Sequence, residues 1–218
     1  MSEKFATGNP PCDRWQLSRV MDNVASLQRE ISQFISSLPD DLILSNKNIA
    51  GWLLRRDRQV YQFLHEWICV LHMDLYQFSL PLIRETGEPG LLNILPAEFK
   101  TNSQMQAIAH AITLARFWEA WLEKSEAIGH PKPVLIGDYN IIPCVRQCNK
   151  VLLAALACGL HSELKNWKST TAPTWRMEEP ITLQSLRSLI DVTLRVLEPW
   201  AGIIPSVKPE VGFTVSVQ

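Results

Sequence analysis

Residues 57–81 read DRQVYQFLHEWICVLHMDLYQFSLP. Apolar side chains recur at Val60, Phe63, Leu64, Trp67, Ile68, Leu71, Leu75 and Phe78, three and four positions apart, so the stretch predicts an α-helix rather than a strand. The helix is expected to run from about Asp57 to Leu80, because Pro81 has no N–H to donate and pushes the residue before it away from helical angles. Its apolar residues cover most of the circumference, a pattern that suits the centre of a bundle.

Upstream, Leu17, Val20, Met21, Val24, Leu27, Ile31, Phe34, Ile35 and Leu38 form a stripe that predicts a helix from Asp13, a capping residue, to Leu38, where Pro39 and Asp40 stop it. Downstream, Ser103 and Gln106 have the spacing of a capping box, and Ile108, Ala111, Ile112, Ala115, Trp118 and Leu122 mark the buried face that follows. Gly129, Pro131 and Pro133 end that helix. A fourth helix opens near Ile142 with Pro143 in its first turn, carries Val145, Cys148, Val151, Leu152 and Leu156 inward, and stops at Gly159. A fifth spans about Thr182 to Ala201, with Leu183, Leu186, Ile190, Leu194 and Leu197 facing inward and Pro199 in its last turn. Asn166–Pro180 and Thr86–Asn102 read as connections, and almost nothing alternates with period two. The expected fold is therefore all-α, a multi-helical bundle forming a single domain over residues 13–209, with a polar segment at 1–12 and a tail at 210–218.

The bulk numbers fit one core. A chain of 218 residues with 46% hydrophobic and 20% charged residues is too apolar to be disordered. Its 21 basic residues balance 22 acidic ones, so no long-range field draws it to a phosphate backbone, and direct nucleic-acid binding is not expected. The basic cluster Arg55, Arg56 and Arg58, interrupted by Asp57, reads as a solvated helix start. No apolar run is long enough to cross a bilayer, and the polar N-terminus does not resemble a secretory signal. Cys12, Cys69, Cys144, Cys148 and Cys158 are odd in number and mostly in apolar helical context, as reduced thiols are, which points to nucleus or cytoplasm.

Each candidate for chemistry in this sequence also has a packing role. His65, Cys69 and His72 fall at i, i+4 and i+7, so one helix face presents three metal donors, one residue away from the H-E-x-x-H zinc pattern. Cys144 and Cys148 supply two more thiols one turn apart. Asp40-Asp41 lacks an acidic residue one turn on, where Leu44 stands, and reads as a turn. Trp52, Trp67, Trp118 and Trp121 either fill a helical core or wall an apolar pocket for a small effector. His65, Asp74 and Tyr76 are the side chains a helical enzyme could use as acid or base. Packing is the favoured reading throughout: no catalytic residue, cofactor-binding residue or metal ligand is assigned.

The order of several blocks resembles the middle homology region of fungal zinc-cluster transcription factors. These blocks are Phe63-Leu64-His65-Glu66-Trp67 followed by Asp74-Leu75-Tyr76-Gln77-Phe78 and Pro81; Pro96-Ala97-Glu98-Phe99 with His110-Ala111; Gln147-Cys148-Asn149-Lys150; and Leu197-Glu198-Pro199 with Pro205-Ser206-Val207-Lys208-Pro209. The resemblance spans about residues 15 to 210. It implies an all-helical regulatory domain in the nucleus that partners a transcription factor as a homo- or heterodimer, or responds to a small-molecule effector. Gln77, Cys69, Lys150 and Leu82 depart from the family pattern, which more often has Arg, His, Arg and Gly there. The family's six-cysteine zinc cluster has no counterpart, since Cys12 alone precedes Cys69. Direct DNA recognition is therefore not carried over. A helical enzyme or a metal-binding module on the same scaffold is the alternative.

Overall fold

The computed structural model describes residues 14–83, 95–129, 140–164, 167, 181–201 and 203–204. They form an all-α bundle: α1 (Arg14–Ser36), α2 (Asn46–Leu53), α3 (Arg58–Tyr76), α4 (Ala97–Ala127), α5 (Ile141–Ala157), α6 (His161–Leu164) and α7 (Leu183–Ala201). Single 3-10 turns occupy Asp40–Leu42 and Gln77–Ser79, and no strand occurs among the described residues. Asp13, most of the two predicted connections, the polar segment 1–12 and the tail 210–218 lie outside the described residues.

The central element is α4, not the helix at 58–76. With 31 residues it is about 46 Å long by helical rise. It touches α2, α3, α5, α6 and α7. From Ser103 to Trp121 every residue but Glu119 is buried. The local reason is composition: Ser103 to Ala115 carries no Asp, Glu, Lys or Arg, and Ala107, Ala109, Ala111 and Ala115 let neighbouring helices approach from several sides. The predicted capping box at Ser103 is absent, because α4 begins six residues earlier, after Pro96, and Ser103 sits inside it. The reciprocal bonds of a cap form instead at α7, where Thr182 Oγ1 accepts from Ser185 N at 3.0 Å and Ser185 Oγ accepts from Thr182 N at 3.3 Å.

A second correction concerns the face of α3. Its buried residues are Tyr61, Gln62, His65, Glu66, Ile68, Cys69, Val70, His72, Met73 and Tyr76, which meet α4 and α5. Much of the predicted apolar stripe points the other way: Val60, Phe63 and Leu71 are exposed, and Leu64, Trp67, Leu75 and Phe78 are half-buried, partly under α1. The stripe of α1 is likewise only half covered, with Val24 buried and Leu27 and Phe34 exposed. Leu183, expected to face inward on α7, is also exposed, while Leu186, Ile190 and Leu197 are buried.

Two elements had no sequence prediction, the short α6 and α2. The latter has a clear local cause: Ser45 caps it by accepting from Asn48 N at 3.1 Å. The Asn48 amide donates back to Asp40 O and Ile43 O, and Trp52 Nε1 donates to Asp41 O. The stops at Gly129 and Gly159 hold as predicted, with φ of +75° and +67°. At Gly159 the chain closes α5 by bonds from Leu160 N to Ala155 O and Gly159 N to Leu156 O, the paired pattern of a Schellman end.

The α3 correction separates two otherwise similar variants. Met73 is 0% exposed and Leu71 49%. Met73→Ala is expected to cost about 2–5 kcal/mol. Leu71→Ala should stay within roughly 1 kcal/mol. Urea unfolding monitored by circular dichroism measures both, and equal costs would return α3 to the face read from its apolar stripe.

Candidate functional site

Where α3, α4 and α5 meet, the interface is polar along much of its length. It begins at Tyr61, whose ring stacks on Trp52 at 5.5 Å and on Trp121 at 6.4 Å, with Phe117 against Trp121 at 5.6 Å. These rings fill the core, and Trp118 and Trp121 are fully enclosed by it. Tyr61 hydroxyl donates to Ile43 O and accepts from Ser45 N, tying the segment before α2 to α3. His65 packs edge-on against Tyr61 at 4.4 Å, and its Nε2 lies 3.0 Å from Leu42 O. A carbonyl can only accept, so Nε2 carries the proton. Burial drives the His65 pKa down to about 4, partly offset by that carbonyl.

Next to His65 in the chain, Glu66 Oε1 accepts from Gln62 Nε2 and from Trp118 Nε1, each at 2.9 Å. The bond to Trp118 crosses from α3 to α4. Next come the thiols. Cys69, Cys144 and Cys148 are buried and unoxidised; burial raises the pKa of Cys69 and Cys148, and Cys144 lies near enough to raise both further. Cys148 Sγ donates to Ala111 O at 3.3 Å, joining α5 to α4. Cys69 and Cys148 are held neutral and packed rather than reactive.

Beyond them the His72 ring stacks on His110 of α4. At the far end Gln147 Nε2 donates to Gln77 Oε1 at 3.0 Å, Gln77 Nε2 donates to Asp74 Oδ1 at 3.3 Å, and Gln104 Nε2 donates to Ser79 O at 2.8 Å. Thr193 Oγ1 donates to Asn149 Oδ1, which extends the network to α7. The layer contains members of each block quoted above from positions 65 to 149, and the Gln77–Gln147 bond joins two of them directly.

The sequence-derived candidates distribute as follows. His65, Cys69 and His72 do share one face of α3, as their spacing predicts, but His65 Nε2 and His72 Nδ1 face backbone carbonyls. Among the described residues no group of three or more His, Cys, Asp and Glu is disposed around a common metal position. His65, Asp74 and Tyr76 do not converge: Asp74 is exposed, half a helical turn round from buried His65, and the buried Tyr76 hydroxyl, without a hydrogen-bond partner, is pushed up to about 12 by burial. Asp40 and Asp41 form the exposed 3-10 turn. Arg55 grips Asp57 through two bonds, at 3.0 and 2.9 Å, and lies over the Trp52 ring at 3.6 Å, so that cation is occupied locally. Sequence reasoning passed over Gln62, Gln104 and Trp118 as partners in the layer, and did not treat His110 as a functional residue. A signal was present: Ser103, Gln106, His110 and Thr113 repeat at helical spacing within an uncharged run.

No family model matches the chain, and no curated relative or solved structure is significantly similar to it. No helix among the described residues is long and apolar enough to cross a membrane.

Two expectations follow from this geometry. Trp118→Phe removes a donor from buried Glu66 and should cost about 1–3 kcal/mol in denaturant unfolding. For His65 the folded value near 4 lies below the unfolded value near 6.5, so the unfolded chain takes up its proton first. Its contribution to stability is complete above about pH 6.5 and about 3 kcal/mol is lost as pH falls to 4. Denaturation curves across that range should be shallower in His65→Gln than in the parent by that amount; an unchanged slope would remove His65 as a contributor.

Proposed function

We propose that this chain is the regulatory domain of a fungal-type transcription regulator, without a DNA-binding zinc cluster of its own, acting in the nucleus through changes of helix packing. The reading is supported by one observation above others: residues from the resemblance blocks meet in a single buried interhelical layer, not in an open cleft. A group buried between helices acts by deciding which packing is stable. An effector or partner then regulates by preferring one packing, and a few kcal/mol of preference inverts the population.

A specific surface favours a protein partner as the second element of this reading. Val60, Phe63 and Leu71 expose 58%, 45% and 49% of their surface along one side of α3, with the Phe63 ring 5.7 Å from Trp67. An apolar stripe of this kind is what a helical partner covers.

Fusion to a heterologous DNA-binding module in a reporter strain tests the proposal. The fused chain should change transcription, and Gln147→Leu, which breaks the bond from α5 to Gln77 at the end of α3, should shift that output by a factor of about 5 or more, as a bias of 1 kcal/mol does. The unfused chain should not bind duplex DNA at physiological salt. Reporter output indifferent to both the chain and the variant, or tight DNA binding by the chain alone, would sink the reading. Sedimentation of Leu71→Glu beside the unaltered chain addresses the partner surface: an oligomer that persists unchanged does not use it.

A further inference from the structure

The His72 and His110 rings lie face to face between α3 and α4, their centroids 3.8 Å apart and their planes 12° from parallel. Both are buried. His72 Nδ1 is 2.8 Å from Ile68 O, so that nitrogen carries the proton and Nε2 holds a lone pair. Neither ring nitrogen of His110 has a hydrogen-bond partner. Few buried polar atoms are left this way in folded proteins, because each forgoes the bonds it makes in water. A phenyl ring would fill the same place without that penalty. What an imidazole adds is the capacity to take a proton.

The surroundings determine what a proton would do there. On the buried face of α3 stand Tyr61, His65, Glu66, Cys69 and Tyr76, and α5 buries Cys144 and Cys148. The residues that α2, α7 and the Gln77–Ser79 turn bury include no titratable group. Arg116, also buried on α4, is a cation. Glu66 lies six residues before His72, about 9 Å along the helix, and already accepts from Gln62 and Trp118. The charge that acts on His110 is that of His72, which repels a proton.

We propose that the stacked His72–His110 pair is a proton-operated latch: with both rings neutral α3 and α4 stay closed, and one proton from solvent on either ring loosens their contact. The charged ring lies against its partner's face with no anion among the described residues acting on it, so the helices separate until water reaches the ring. Burial lowers the pKa of both groups in the closed state, His110 well below the usual value. The closed form thus binds fewer protons than the open one. It is favoured at neutral pH and above, and loses ground as pH falls below about 6.5. The latch acts on the packing alone and does not require the transcriptional role.

Hydrogen–deuterium exchange of the full chain at pH 7.5 and 5, corrected for intrinsic rates, tests this. Peptides within 66–76 and 106–116 should exchange about tenfold faster at pH 5, relative to α5. His65→Gln should keep that response and the His72→Phe, His110→Phe double variant should lose it. Imidazole NMR of the unaltered chain gives an independent readout: both rings should stay neutral until the contact opens, then titrate together with it. Free titration of either ring near 6.5 in the closed protein, no acid-induced opening, or a double variant that opens like the parent would each overturn the latch. If the double variant does not fold, the ring titration alone decides.

Discussion

The architecture depends on one constraint: a helix with no charged residue between Ser103 and Ala115 cannot face water on any side. α4 must be surrounded, and the chain surrounds it with α2, α3, α5, α6 and α7. Small residues set how near these neighbours come, and the long aromatic side chains are concentrated toward one end, where Phe117 and Trp121 meet Tyr61, itself stacked on Trp52. Once α4 is enclosed, the polar side chains it carries must find partners on other helices or remain unbonded.

That requirement accounts for much of the layer between α3, α4 and α5. Glu66 with Trp118, Cys148 with Ala111 O, Gln147 with Gln77 and Gln104 with Ser79 O are contacts that one register satisfies. Sliding α3 by a single turn, about 5 Å, would break the Glu66–Trp118 bond between α3 and α4 and leave a buried donor and acceptor unmet. A purely apolar interface would tolerate such a slide more readily. Directional bonds convert a greasy contact into a keyed one.

The all-helical class was legible in the sequence because the apolar spacing is helical almost everywhere, and Gly129 and Gly159 ended helices where expected, since their positive φ is open to glycine at little cost. The interior ordering was not legible. Apolar periodicity chose the richer face of α3, but hydrophobicity measures preference for leaving water, not which face a neighbour offers to cover; α4 presented a polar stripe, so α3 turned its own polar residues inward. Ser103 and Gln106 fit a cap by spacing, yet the chain from Ala97 onward had enough helical tendency to extend the helix past them. α2 escaped because eight residues are too few for a period to stand out, and its cause is local hydrogen bonding by Ser45 and Asn48. The site residues were partly legible. His65, Cys69 and His72 were placed on one face correctly, whereas Leu42 O and the Phe117 and His110 rings that the histidines meet come from positions far away in the chain.

The lopsided attachment of α1 has a bearing on how the molecule comes apart. Its main neighbour is α3, and it lies on that helix's outer side, away from the enclosed α4. Peeling it back therefore disrupts little of the central packing and leaves the keyed layer intact. Protection is graded by depth: an outer strap of modest tenacity over a better protected interior. A protease or chaperone meeting the molecule would engage that strap well before it reached Trp118 or His110.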